Sequence, residues 1–506
     1  MRKYLLAGAA MFGAGLAVQG SGYAQTPPAP PAPAGVMINQ QLFPEHGVSG
    51  ANNNNNYAPA MSAGNSANPT PGTMVIHMSG RVWSEATIEG STGDVVPNAV
   101  GTNEKVNSYN FGTYFRLYPG VDAIATNGLR YGASVEIREN FNGRGYTGAG
   151  ATATNAQNTS ATTGTSGLTC EQTLYVRRDF AYVSWPTIGL FRFGQADGPA
   201  GIYDNGIVSE QNVGSGAWNG DAPAAPNSPG AATFPWYSQQ GAEYGSEKIV
   251  YMSPQFFGID GAFSFAPNNG NLEAGGCSSA AQIGCSAISS TGGTNANFRF
   301  TNETQLGARY QGVFGPVSVY GFGDWIHSGV VNYTGPNLAL ATTGGVSSVP
   351  TGSKYTGQAN GVNAGFVGLS ITVGGLQVGA GWQGGQYNNI MAPPPKGAGT
   401  ANAEIIGGTY TLGPMSFGAS WYVFDTQGNV ALTGVTQEHE NAFAFDAAYQ
   451  LTPGMQVYAG WLYSTVAQNG ENLVTGGVNT PATPTAGLAN NHAKAQAGII
   501  GVLVAW

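Results

Sequence analysis

Among the nine arginines in the first 200 residues of the chain, Arg81, Arg116, Arg130, Arg138 and Arg192 fall in stretches of alternating sequence. From Ala196 to Glu243 the chain then carries Asp197, Asp204, Glu210, Asp221 and Glu243, with no Lys or Arg among them. Guanidinium and carboxylate groups hold their charges at neutral pH. These are therefore fixed charges of opposite sign, and their chemistry is electrostatic: set face to face across a narrow gap, they impose a transverse field. Other chemistries find little support. Gly143–Gly148 (GRGYTG) matches a Gly-x-Gly-x-x-Gly string, but it sits in low-complexity sequence with no following helix, so it does not read as a dinucleotide loop. Glu438-His439-Glu440 reads as a solvated loop tip rather than a metal site. The five histidines are scattered, no Ser/His/Asp arrangement is defensible, and neither a catalytic residue nor a cofactor is expected. Cys277 and Cys285 in CSSAAQIGC suit a small disulfide loop in an oxidising compartment; a metal site would want a His or a second Cys pair nearby, and Cys170 is left over.

The elements that position the charges are strands. In MSFGASWYV, Met415, Phe417, Ala419, Trp421 and Val423 share one face, while Ser416, Gly418, Ser420 and Tyr422 share the other. LQVGAGWQ (Leu376–Gln383) and LRYGASVEIR (Leu129–Arg138) alternate in the same way, with Arg130, Glu136 and Arg138 on the small, polar face. By the same parity Arg81, Arg116 and Arg192 share faces with Ser79, Asn110 and Gly194, and Arg299 and Arg309 follow suit. Arg177 and Arg178 are adjacent, so alternation sends them to opposite faces. After Tyr310 only Lys354, Lys396 and Lys494 remain, all in expected long connections.

Connection lengths decide which face points outward. Seven short turns (YPGVDAIATNG, WPTIG, SPQFFG, GVFGP, TVGG, TLGP and LTPG) alternate with eight long polar connections, which together join sixteen strands. Strict short–long alternation means the two strand ends meet different environments. An all-β, 16-stranded antiparallel transmembrane β-barrel with an apolar face to lipid has this asymmetry. Composition agrees: only 8% of residues are charged against roughly 25% in ordinary soluble proteins, 79 of 506 are Gly, and aromatics reach 11%. Tyr118, Trp185, Trp325, Trp382, Trp421 and Trp461 lie near strand ends, as an interfacial girdle requires.

Residues 1–24 read as an export signal: Arg2 and Lys3, an apolar middle, then Gly22-Tyr23-Ala24 before the cut. Its removal leaves 15 basic against 26 acidic residues, a net charge of −11 that makes nucleic acid an improbable partner. Residues 25–73 form a Pro/Ala- and Asn-rich linker that cannot bury a core. Residues 74–506 form the barrel.

In the closing stretch AGIIGVLVAW, Ile500, Val502, Val504 and Trp506 share one face. This resembles the assembly signal of bacterial outer-membrane barrels, in which a final aromatic ends an alternating strand; the strand is expected to pair with the first, near Met74. RRDFAYVSWPTIGLFRFGQADGP (Arg177–Pro199) resembles the fourth strand, periplasmic turn and fifth strand of the general bacterial diffusion porins, through Arg178, Ala181, Tyr182, Val183, Gly189, Arg192 and Gly194. Ser184-Trp185 replaces the usual Gly-Leu, Gln195 stands where a second Arg is common, and the Pro-Glu-Phe-Gly-Gly pore-loop motif is absent. The resemblance implies a homotrimer in the Gram-negative outer membrane, in contact with lipid and lipopolysaccharide and delivered by the barrel assembly machinery. It also implies water-filled channels for small polar solutes, with an inward-folded third loop. Asp197, Asp204, Glu210 and Asp221 would then be the acidic loop of a constriction, facing Arg81, Arg116, Arg130, Arg138 and Arg192. A sugar- or organic-acid-selective channel on the same barrel, and a closed barrel serving as adhesin or enzyme, are the alternatives.

Overall fold

The computed structural model describes residues 69–92, 95–97, 103–105, 108–140, 173–203, 247–268, 300–330, 360–388, 391, 394, 396–428, 436–473, 477–478 and 491–506. In chain order the first elements are β1 (Thr73–Ser91), the short pair β2 (Val95–Pro97) and β3 (Asn103–Lys105), β4 (Tyr109–Ile124), β5 (Arg130–Asn140), β6 (Thr173–Trp185) and β7 (Gly189–Gln195). A five-residue helix α1 (Pro199–Tyr203) follows, then β8 (Glu247–Met252), β9 (Ile259–Asn268), β10 (Phe300–Phe314), β11 (Val317–Val330), β12 (Asn363–Val373) and β13 (Leu376–Gln386). The chain continues through β14 (Ala401–Leu412), β15 (Met415–Thr426), β16 (Glu438–Thr452), β17 (Met455–Gln468), the short pair β18 (Glu471–Asn472) and β19 (Gly477–Val478), and β20 (His492–Ala505).

Sixteen of these strands close into one antiparallel barrel, in the order β1-β20-β17-β16-β15-β14-β13-β12-β11-β10-β9-β8-β7-β6-β5-β4. Closure gives every barrel strand a partner on each side, which removes the open edges that a flat sheet would present to lipid. No helix among the described residues is long and apolar enough to cross a membrane. The strands cross instead, and their faces are sorted for it. On β15, Ser416 and Ser420 are buried inside, while Phe417 and Trp421 are 36% and 41% exposed outside. The polar face is inward, the reverse of a soluble sheet.

The seam pairs β1 with β20 from Arg81↔Ala505 to Ser91↔Ala495. Gly80 and Trp506 exchange both backbone hydrogen bonds at 3.0 Å. The pairing therefore begins several residues beyond Met74, which meets Ala123 of β4 instead. A second difference concerns the first short turn, expected over 118–128. β4 runs on to Ile124, so only residues 125–129 turn. Pro119 does not end the strand because its missing N–H falls on the β5 side, where the ladder skips from Leu117↔Ile137 to Gly120↔Ser134. As a consequence Tyr118 faces inward and is 4% exposed, so it is no part of the girdle. Nor is Glu438-His439-Glu440 a loop tip: these residues open β16, with His439 Nδ1 2.8 Å from Asp425 Oδ1 on the outer face.

Trp325, Trp382, Trp421 and Trp461 do lie outward and exposed. Three of them share one arrangement. The indole N–H of Trp325 donates to Asn363 Oδ1 at 2.7 Å, that of Trp421 to Asn441 Oδ1 at 2.8 Å, and that of Trp382 to Asn402 Oδ1. Each Asn begins an Asn-Ala pair near the start of the next strand and faces a residue two beyond its Trp. An interfacial indole needs a hydrogen-bond partner at its polar edge; here the neighbouring strand supplies it.

Candidate functional site

Parity along the strands and their register bring the charges to one sector of the inner wall. Arg81 pairs with Arg116, and Arg116 pairs with Arg138, so three guanidinium groups form a row across β1, β4 and β5. Like charges on adjacent strands repel, and all three side chains are buried, at 3%, 0% and 2% exposure. Glu136, two residues from Arg138 on the same inward face, supplies the counter-charge. It accepts Nε–H of Arg138, Nε–H of Arg178 at 2.7 Å and Nη1–H of Arg177 at 3.3 Å. Arg178 in turn donates from Nη1 to Asp197. Glu136 and Arg178 are thus the centre of a buried ion-pair network that also holds the first acid of the third long connection.

Arg177 reaches this network because β6 bulges. The register runs Glu136↔Arg178 and then Ile137↔Val176, leaving Arg177 as the extra residue. The expectation that adjacent arginines take opposite faces is therefore corrected: both guanidinium groups contact Glu136. Arg192 on β7 lies further along the same wall, with Cζ 4.8 Å from the centroid of the Phe180 ring. Arg130 sits at the turn end of β5, partly exposed. Near that end the Tyr182 hydroxyl donates to Asp122, and His77 Nε2 lies 3.1 Å from the other oxygen of the same carboxylate.

Beyond Gln195 the chain turns onto the inner wall of the next sector. Ala196 through Tyr203 are all buried, and α1 rests on the inward faces of β9, β10 and β11. Two glycines permit the close approach. A Cβ on Gly198 would come 2.3 Å from Gln305 Oε1, and one on Gly307 would come 2.0 Å from Asp324 Oδ1 and 2.8 Å from Pro199 Cβ. The seat is polar. Ala200 N–H donates to Gln305 Oε1 at 3.2 Å, and the Tyr320 hydroxyl donates to the Tyr203 carbonyl at 2.6 Å. Arg309 donates to Asp260 Oδ2 from Nε at 3.1 Å and Nη2 at 2.9 Å, and its Cζ lies 4.8 Å from the Tyr203 ring centroid. Gln305 also donates to Glu303, whose Oε1 lies 3.8 Å from Lys248 Nζ. Burial, with Asp260 adjacent, pushes the Tyr203 phenol well above its ordinary range, so it stays neutral.

Of the residues singled out from sequence, Arg81, Arg116, Arg130, Arg138, Arg192 and Asp197 lie on this inner wall. Asp204, Glu210, Asp221, Cys277 and Cys285 lie outside the described residues. Lys248, Asp260, Glu303 and Tyr203 were missed. Alternation of β8, β9 and β10 already places the first three inward; only Tyr203, in irregular sequence, carried no periodic signal. Among the described residues no group of three or more His, Cys, Asp or Glu side chains could hold a metal ion.

A family model described as Gram-negative porin matches residues 86–469. None of the curated proteins matches the sequence. Among solved structures, the anion-selective porin from Comamonas acidovorans is 13% identical, with a TM-score of 0.48 over 86% of this chain and 100% of its own. The in-vitro folded trimer form of OmpT, an outer-membrane protein of Vibrio cholerae, is also 13% identical, with a TM-score of 0.46 over 86% and 100%.

Proposed function

Because the chain belongs to the Gram-negative porin family and forms a closed sixteen-stranded outer-membrane barrel, we propose that it is a homotrimeric general diffusion channel for small hydrophilic solutes and ions. One observation carries the reading. The first residues of the third long connection, Ala196 to Tyr203, are buried against the inner wall, with Asp197 held by Arg178 and α1 seated on β9–β11. An acidic connection crossing an arginine-lined wall narrows the water path and places a transverse field at its narrowest part. Such a field orients water dipoles and favours polar solutes. Asp204, Glu210 and Asp221 lie outside the described residues and enter this reading only as further negative charge on the same connection; the net acidity, offset by the basic wall, leaves a weak preference for cations.

Reversal potentials in a salt gradient across planar bilayers test this. Neutralising Asp197, Asp204 and Glu210 together should shift the pore toward anions; replacing Arg81, Arg116 and Arg130 by Gln should shift it toward cations. Screening over about 8 Å at physiological salt confines the effect to charges near the path. Glu438, at the long-connection rim of the barrel, is the control and should change little. Equal shifts from Glu438→Gln and the connection variants, or no shift from either, would sink the assignment. Flux that saturates for one sugar or organic acid would favour a substrate-selective channel instead.

A further inference from the structure

The short turn between β8 and β9 differs from its counterparts around the barrel. Five of the other six short turns put only Gly, Pro, Thr or Asn at their tips. This one presents Phe256, 63% exposed, and Phe257, whose ring is fully exposed and so rests on no other part of the protein. The backbone beneath is held tightly all the same. Phe256 and Ile259 exchange both backbone hydrogen bonds, at 2.7 and 2.9 Å, and Gln311 N–H of β10 donates to the Gly258 carbonyl at 2.7 Å. Between them Phe257 and Gly258 take φ of 51° and 85°, the two positive values of a type I′ hairpin turn. Gly258 suits that turn, and a Cβ there would come 2.4 Å from the Gln311 carbonyl oxygen. Phe257 does not suit it. A left-handed backbone crowds the Cβ of a bulky residue, and Asn or Gly is the usual occupant. The strain is kept for a ring that contacts nothing in the barrel.

We propose that this turn is a membrane anchor, with Phe256 and Phe257 seated among the phospholipids of the periplasmic leaflet. Its position supports the reading, because the turn continues the lipid-facing surface. Phe256 pairs with Ile259 and Ile259 with Tyr310, and Ile259 is outward and exposed. The ends of the neighbouring hairpins add exposed Ile188 and Phe314, and the Ile188 carbonyl accepts the Tyr251 hydroxyl of β8 at 2.8 Å. Strand length points the same way. β8 has six residues, the fewest of any barrel strand among the described residues, whereas crossing the hydrocarbon takes about nine to eleven. No charged residue stands between Met252 and Ile259, so the turn lengthens the apolar band at the periplasmic end of β8. Lipid then supplies the apolar contacts that a ring standing in water would lack. The anchor also fixes the depth of a hairpin whose buried inward residues include Lys248 and Asp260.

The inference concerns the membrane and does not depend on which solutes the channel passes. Full-length protein, with Cys170, Cys277 and Cys285 replaced by Ser, is reconstituted in vesicles of phosphatidylethanolamine and phosphatidylglycerol. A nitroxide attached through Phe257→Cys should then collide more with oxygen, which partitions into lipid, than with a water-soluble nickel chelate. Val367→Cys, on the outward face of β12, gives the lipid standard; Thr126→Cys, at the β4–β5 tip, gives the water standard. A second variant is made in the natural chain and needs no label. Phe257→Asn relieves the backbone strain and removes the ring. The vesicle-embedded barrel should nevertheless unfold at a lower temperature than the native one. A Phe257→Cys label as open to nickel as the Thr126→Cys label overturns the inference and leaves the turn to a soluble periplasmic partner. A Phe257→Asn barrel at least as heat-resistant as the native protein overturns it as well.

Discussion

The sector β4–β10 and the sector β12–β15 are built from the same alternating strands, yet their inner faces differ in kind. The first gathers Arg116, Arg138, Arg178, Arg192, Lys248 and Arg309 against Glu136, Asp197, Asp260 and Glu303, nearly all buried. The second presents Ala, Gly, Ser, Gln and aromatic side chains and holds its neighbours by amide hydrogen bonds and ring stacking. Buried ions are costly singly and tolerable only as a satisfied set. The charged sector is therefore stable as a network and fragile to any single deletion, whereas the neutral sector loses little with any one contact.

The largest effect should come from the centre of the network. Glu136→Gln leaves Arg138, Arg177 and Arg178 without their shared carboxylate, and removing one member of a buried ionic set costs about 3–5 kcal/mol. The transition temperature of the assembled barrel, read from heat-modified electrophoretic migration, should fall by several degrees or assembly should fail. On the outer face of β12–β16, Asn363→Ala, Asn402→Ala and Asn441→Ala should each cost about 0.5–1.5 kcal/mol, the worth of one hydrogen bond. The three sites share no partner, so their losses should add. A Glu136 variant no less stable than the Asn variants would erase the contrast between the sectors. The smallest effect is expected on the outer rim. His439 and Asp425 form a hydrogen-bonded pair with side chains 52% and 37% exposed, and Asp425→Asn should cost less than about 1 kcal/mol. Raising the salt concentration should shrink that loss while leaving the Glu136 deficit unchanged.

Much of this architecture is legible in the sequence because a barrel repeats one rule. Period-two alternation places the strands of MSFGASWYV and LQVGAGWQ at the first residues of β15 and β13 and within three residues of their ends, and the seven short and eight long connections set the strand number. Parity also turned Arg81, Arg116, Arg138 and Arg192 inward. It failed where the period is interrupted. The bulge at Arg177 shifts the face of every residue on one side of it, and no side-chain pattern announces it. Pro119 reads as a turn because the residue type does not say which neighbouring strand it faces. The seat of α1 depends on which strands its connection meets, and that information is spread over residues more than a hundred positions apart, such as Tyr203 and Tyr320.

The Trp–Asn bonds on the outer surface bear on a different question, that of strand registry. Alternation encodes only odd against even. If β12 slid by two residues past β11, every apolar side chain would return to lipid and every small polar one to the interior, and hydrophobic energy alone would hardly distinguish the two states. Along β12–β15 no inward charge objects to such a slip. An indole N–H, however, has one acceptor within reach, and two residues of travel carry that acceptor roughly 6–7 Å away. Trp325–Asn363, Trp382–Asn402 and Trp421–Asn441 use the same diagonal offset, so each converts an ambiguous parity into an absolute alignment. In the sector with the least chemistry inside, the information that fixes the strands relative to one another is carried on the outside.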